Sequence, residues 1–173
     1  MKELIYMEKL NNWKYCKETT ITHRLSITHK DCLIDINNLS KKNGAKKEVF
    51  KKEIEVLNLD CVEIKLAKNE RRNRKKTMDF VVGLKRKNEN KMLLIDFKLK
   101  AKNGKNIDGS NLKNKIKYSV SLIGNNPQIM KFYLLIYNKN YINEATQTIR
   151  RKMLNKPEII IISINELKTI LFN

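Results

Sequence analysis

The apolar positions between residues 77 and 100, TMDFVVGLKRKNENKMLLIDFKLK, fall into two short runs separated by a charged segment. Residues 78–84 and 92–99 are rich in β-branched and aromatic side chains, and Lys87-Asn88-Glu89-Asn90 is polar and turn-prone. This pattern predicts a β-hairpin. Upstream, residues 60–67 alternate, with Val62, Ile64 and Leu66 on one face and Cys61, Glu63 and Lys65 on the other, which predicts a strand. From Ser40 or Asn43 to Asn58 the period lengthens. Ala45, Val49, Phe50, Ile54, Val56 and Leu57 share one face at helical spacing, with Glu53 in the middle of that face and Glu48 outside it.

After a loop at 101–109, a helix is expected over 110–123, with Leu112, Ile116, Val120 and Ile123 inward. Gly124 and Pro127 break the chain before a strand at 129–137. A helix at 143–154 ends before Pro157, and the β-branched run at 158–164 reads as a strand covered on both faces. Ser163 and Glu166 form a capping-box pattern for a last helix at 165–172. At the other end, residues 2–11 suggest a short helix. Residues 19–28 alternate, with Ile21, His23, Leu25 and Ile27 on one face, and predict a strand paired with residues 32–36 through His29-Lys30-Asp31. The expectation is an α/β protein with a central mixed sheet flanked by helices. An N-terminal extension of helix and hairpin, 1–40, would precede a domain at 41–173.

Composition narrows the classes. With 41% hydrophobic residues the chain can bury a core, and no apolar run reaches the ~18 residues that span a bilayer. The opening MKELIYMEKL carries charges among its apolar residues and does not read as a secretory signal. Cys16, Cys32 and Cys61 are odd in number and lack CxxC spacing, which argues against a disulfide framework or structural zinc and suggests a cytoplasmic setting. The net charge of +19 points to a polyanionic partner. Lysine outnumbers arginine 30 to 7, and asparagine and isoleucine are abundant, as AT-rich codon usage produces, so clustering is more informative than the total. The run KNERRNRKK, residues 68–76, brings Arg71, Arg72, Arg74 and Lys75 next to the hairpin, and a second cluster extends from Lys98 through Lys113 to Lys117. Both suit phosphate contacts.

Candidate chemistry lies in the hairpin. Asp96 interrupts the apolar run Met92-Leu93-Leu94-Ile95. Burying an ionised carboxylate without a partner is costly. Side chains alternate along a strand, so Asp96 and Lys98 share a face, and pairing of the strands can bring Asp79 to the same place. Two approaching carboxylates suit a hard divalent cation such as Mg²⁺ or Mn²⁺, and a lysine beside them can orient water and stabilise charge developing on a phosphate.

A lone Asp79 followed by Asp96-Phe97-Lys98 at the end of the next strand resembles the signature of the PD-(D/E)xK, or restriction-endonuclease-like, nuclease superfamily. Met78 stands where the signature has proline. The resemblance covers residues 41–137, where the expected order of helix, three strands, helix and strand matches the family core. It implies Asp79 and Asp96 as Mg²⁺ or Mn²⁺ ligands, Lys98 as the residue that positions the attacking water, and a third acid from the first helix. Glu53 is that acid by periodicity; Glu48, four residues after Gly44, resembles the family's helix-start glutamate. Asn114 and Tyr118 faintly resemble the QxxxY element of RecB-like nucleases. The implied activity is a metal-dependent endonuclease, deoxyribonuclease before ribonuclease, with Arg71, Arg72, Arg74, Lys75, Lys113 and Lys117 on the backbone. A catalytically silent nucleic-acid-binding module on the same fold is the alternative. The expected partner is nucleic acid, with no membrane and with homodimerisation left open.

Overall fold

A computed structural model describes residues 8–10, 12–154 and 157–172. The helix expected at 2–11 lies largely outside these, although 8–10 are helical. Lys14–Tyr15 is a short strand, β1. Where residues 19–28 alternate as a strand would, Lys17–Thr22 (α1) and Arg24–Thr28 (α2) are helical. The hydroxyls of Thr20, Thr22 and Thr28 donate to the carbonyls of Cys16, Glu18 and Arg24, four residues back. The side chains that made the alternation polar therefore satisfy helical backbone instead. Of the alternating residues His23 and Leu25 are buried but Ile27 is 55% exposed, so the alternation marked no continuous buried face. His23 is buried and caps α2, its Nδ1 accepting the Leu25 N–H.

The expected N-terminal hairpin is thus replaced by another pairing. After a single turn at Lys30–Cys32, Leu33–Asp35 (β2) pairs antiparallel with Glu55–Asn58 (β3). Between them, Ile36–Lys42 forms α3, capped by Asp35. The helix expected to run on to Asn58 ends there, because Gly44 turns the chain at φ 107°. The segment 43–54 keeps Phe50 and Ile54 buried without being helical. Side chains satisfy its backbone: Asn37 Oδ1 accepts the N–H groups of Val49 and Phe50, Asn37 Nδ2 donates to the Phe50 carbonyl, and Asp35 Oδ2 accepts the Ile54 N–H.

Residues 60–67, expected as a strand, belong to a helix, Leu59–Asn69 (α4). Asn58 caps it by accepting the Cys61 N–H. Leu59, Val62, Glu63 and Ala67 face inward, whereas Ile64 is 50% exposed, so the true period is helical. Downstream the expected elements form, except that the strand expected at 129–137 is split into two at Met130-Lys131. Phe80–Arg86 (β4) and Glu89–Lys98 (β5) form the hairpin, its turn shortened to Lys87-Asn88 with Lys87 at φ 52°. Gly109–Ile123 is α5, followed by Gln128–Ile129 (β6), Phe132–Tyr137 (β7), Ile142–Lys152 (α6), Glu158–Ser163 (β8) and Ile164–Leu171 (α7), the last entered through the Ser163–Glu166 capping box.

Among the described residues, eight strands form one open mixed sheet in the order β2-β3-β4-β5-β7-β8, with β1 on β4 and β6 on β5. Pairing is antiparallel from β2 to β5 and parallel from β5 through β7 to β8. β1 and β2 belong to this sheet, so residues 14–15 and 33–35 of the expected N-terminal extension are built into it. Gly83 of β4 donates its N–H to Thr20 Oγ1, and a Cβ there would press on Thr19, which lets α1 lie directly on the strand. One face of the sheet packs Leu93, Ile95 and Phe97 with Ile36, Leu39, Leu167 and Ile170. The other packs Met92 and Leu94 with Val62, Leu112, Ile116 and Ile149. No described helix is long and apolar enough to cross a membrane.

The cysteine expectation is corrected. Cys32 and Cys61 are joined by a disulfide, and Cys16 is free. Pairing of β2 with β3 brings the turn at Lys30–Cys32 against the first turn of α4, a juxtaposition invisible in cysteine spacing.

Candidate active site

The β4–β5 register opposes Phe80 to Ile95, so Asp79, one residue before β4, stands opposite Asp96. The two are laced by backbone. The Asp79 N–H donates to Asp96 Oδ1 at 3.2 Å, and Asp79 Oδ2 accepts the Phe97 N–H at 2.6 Å. Asp96 is fully buried and continues the face of Met92 and Leu94 to the end of β5. There the carboxyl ends of the parallel strands β5 and β7 lie side by side, where open α/β sheets bind their ligands.

Two ammonium groups converge on Asp96. Lys98 Nζ lies 2.6 Å from Oδ2, as the shared strand face requires, and Lys115 Nζ lies 2.6 Å from Oδ1, reaching in from α5. Each Asp96 oxygen thus has an ammonium group at ion-pair distance, which offsets the cost of burying the carboxylate. Burial pushes the Asp79 carboxyl up to about 7, and the Asp96 charge adds to this; Lys115, the Phe97 N–H and Lys98 pull the other way without prevailing. For Lys98, burial favours the neutral amine, but the Asp96 and Asp79 charges outweigh it and hold the ammonium above the ordinary lysine range.

Mg²⁺ and Mn²⁺ take hard oxygen ligands and retain several waters, so a pair of carboxylates is a sufficient protein contribution. The buried Asp96 carboxylate, opposite a second carboxylate at the strand ends, offers the hard oxygen donors such an ion takes. The third acid expected from the first helix does not join them. Glu48 is exposed outside any helix and pairs with Lys41 at 2.7 Å, and Glu53 is exposed on the bend before β3. Among the described residues, no group of three or more acidic, histidine or cysteine side chains is gathered as a cation site.

The basic candidates divide by partner. Arg72 serves the interior: it meets fully buried Glu63 at 2.6 Å and Tyr118 at 2.9 Å, and also pairs with Glu70. Its guanidinium donors are directed to Glu63, Glu70, Tyr118 and the Asn73 carbonyl and not outward to where a phosphate backbone was expected. Glu63 also accepts the Lys75 N–H and the Tyr118 hydroxyl. Burial alone would raise its carboxyl, but the bonds from Arg72, Tyr118 and Lys75 hold it down at about 2. Arg74 pairs with Asp60 at 2.8 Å while remaining half exposed, and the Lys75 ammonium lies 4.6 Å from the Tyr118 ring centre. Arg71, Lys113 and Lys117 are exposed. Lys113 and Lys117 project from the helix that also carries Lys115.

Comparison with family models, with curated proteins and with solved structures finds no match for this chain. Two features escaped the sequence reading. Lys115 carried a signal: it lies three residues after Leu112 and four before Ser119, both buried, and so belongs to the inward stripe of α5. The Glu63–Arg72–Tyr118 network carried none while residues 60–67 read as a strand. A cavity of about 490 Å³ between α6, β8 and α7 is lined by Ile142, Ile149, Ile161 and Ile170 among others and contains none of Asp79, Asp96, Glu48 and Glu53.

Proposed function

We propose that this chain is a divalent-metal-dependent nuclease hydrolysing phosphodiester bonds, DNA before RNA, with a core of the restriction-endonuclease-like kind. The observation that carries the reading is the convergence of Asp79, Asp96 and Lys98 at the ends of two neighbouring antiparallel strands, with the Asp96 carboxylate fully buried. The succession β4, β5, α5 and β7, with β7 parallel beside β5, supports the proposed core. In place of the expected first strand at 60–67, β3 pairs with β4 and α4 connects the two.

Asp79 and Asp96 would hold the ion through their carboxylate oxygens. When bound, Mg²⁺ or Mn²⁺ supplies Lewis-acid stabilisation of phosphoryl oxygens and activation of water. Lys98 orients the attacking water from beside Asp96 and offsets charge developing on the phosphate. Exposed Arg71, Lys113 and Lys117, with half-exposed Arg74, bind the backbone without reading sequence.

A second reading has one observation in its favour. Each oxygen of Asp96 already faces an ammonium group, as in a structural ion cluster of a silent nucleic-acid-binding module. Incubation of the protein with plasmid, single-stranded DNA and RNA in Mg²⁺, Mn²⁺ or chelator separates the two. Metal-dependent cleavage supports the nuclease; retention without cleavage under every condition supports the module.

A further inference from the structure

Lys115 is not part of the acid, acid and lysine set, yet its ammonium lies 2.6 Å from Asp96 Oδ1 and its side chain is only 14% exposed. The helix aims it there. Leu112 and Ile116 seat α5 on the sheet, and Ser119 Oγ accepts the Met78 N–H at 2.8 Å, tying the helix to the residue before Asp79. With both acids ionised, two carboxylates and two ammonium groups make the cluster neutral. A divalent ion entering it would meet two ammonium groups around the buried acid, so metal alone binds against like charge. A phosphodiester backbone brings the missing negative charge.

The two lysines differ in where they are rooted. Lys98 stands two residues from Asp96 on the same strand face. Lys115 reaches across from another element on a flexible stem and can swing away while α5 stays in place. We infer that Lys115 is the resident cation of the substrate-free site, released from Asp96 to a phosphate oxygen of the nucleic acid when metal enters, so that metal and nucleic acid bind cooperatively. This rests on the nuclease reading for the identity of both ligands. The coupling is reciprocal, so it can be read from the metal alone.

The test is Mn²⁺ titration calorimetry on the intact chain, with and without a short duplex carrying cleavage-resistant phosphorothioate linkages. The parent should bind Mn²⁺ weakly alone and about tenfold or more tightly with duplex. Lys115→Gln should bind Mn²⁺ alone about tenfold more tightly than the parent, and duplex should then add less than about threefold. Lys115→Met, which keeps the aliphatic stem, should match Lys115→Gln, and Lys115→Arg, which keeps the charge, should resemble the parent; thermal melts check that each is folded. A lysine that merely props up Asp96 predicts unchanged or weaker Mn²⁺ binding in both neutral variants, and that result overturns the inference. If the parent cleaves nucleic acid while the neutral variants show no gain, the inference fails and the nuclease reading stands. If the gain appears but nothing is cleaved, the inference about the metal seat stands and the nuclease reading fails. Absence of Mn²⁺ binding by every protein overturns both.

Discussion

Asp79 and Asp96 hold one another through main-chain donors: the amide of Asp79 donates to the Asp96 carboxylate, and the amide following Asp96 donates to the Asp79 carboxylate. Their spacing is therefore set by the β4–β5 register and not by side-chain rotamers. A slip of one residue would send every side chain of the slipped strand to the opposite face.

This arrangement makes Asp79 a destabilising group when ionised. Its carboxyl is raised from 3.8 to about 7, so between those values the folded chain binds more protons than the unfolded one. The stability associated with it is present below about pH 4 and is lost as pH rises through 7. Asp79→Asn should therefore raise the Tm in chelator at pH 8, by roughly 2–4 °C for each kcal/mol of repulsion relieved, and leave the Tm nearly unchanged at pH 4. It should also reduce the stabilisation that Mn²⁺ gives the parent. Melts at both pH values, with and without metal, check the sign; a lower Tm at pH 8 contradicts it.

Asp96→Asn should act in the opposite direction. Removing this charge leaves the Lys98 and Lys115 ammonium groups facing each other without their shared partner, at a cost of roughly 1–3 kcal/mol after allowing for their partial exposure. Urea denaturation at pH 7 measures it. Equal effects of the two substitutions would mean that the acids are not differently paired.

Glu63 is a structural carboxylate whose loss loosens the basic loop. Glu63→Gln should cost about 2–4 kcal/mol, because Arg72 loses its charged partner beside a fully buried group. It should also speed proteolysis within residues 70–76. Because Glu63 is held at about 2 against an ordinary 4.5, its contribution is present above pH 4.5 and lost as pH falls toward 2. Urea melts at pH 7 and pH 3 should show a smaller difference between parent and variant at the lower pH.

Reduction of Cys32–Cys61 should destabilise the chain. Closing a loop over a sequence separation of 29 is worth about 3–4 kcal/mol in the chain-entropy description. Thiol labelling under denaturing conditions should find one free thiol before reduction and three after, with a lower Tm in reductant. Three free thiols without reductant would show that the bond does not form.

The hairpin and everything from α5 onward were legible because each element carries an amphipathic or uniformly apolar pattern with a clear stop, such as Gly124, Pro127 or the Ser163 cap. Apart from the strand expected at 32–36, which is present as β2, residues 17–69 were not, for physical reasons. In α1 and α2, threonines bonded to the carbonyls four residues back look like strand alternation. In 43–54, helically spaced apolar residues are held in a loop whose amides are satisfied by Asn37 and Asp35, and no periodicity reports such long-range side-chain bonds. In α4, Val62, Ile64 and Leu66 mimic a strand face, although Ile64 is half exposed. Asp79, Asp96 and Lys98 were legible as a group because strand alternation and the hairpin register fix their faces. Glu48 and Glu53 failed as ligands because the helix meant to present them ends at Lys42.

Hydrolysis of nucleic acid by these two acids and their lysine with a divalent ion is checked by plasmid cleavage with the parent, Asp96→Asn and Lys98→Ala. The parent should convert supercoiled DNA in Mg²⁺ or Mn²⁺ and not in chelator. Each variant should be slower by roughly 10²-fold or more with an unchanged far-ultraviolet circular dichroism spectrum. Undiminished cleavage by both folded variants, or cleavage that persists in chelator, would contradict the account.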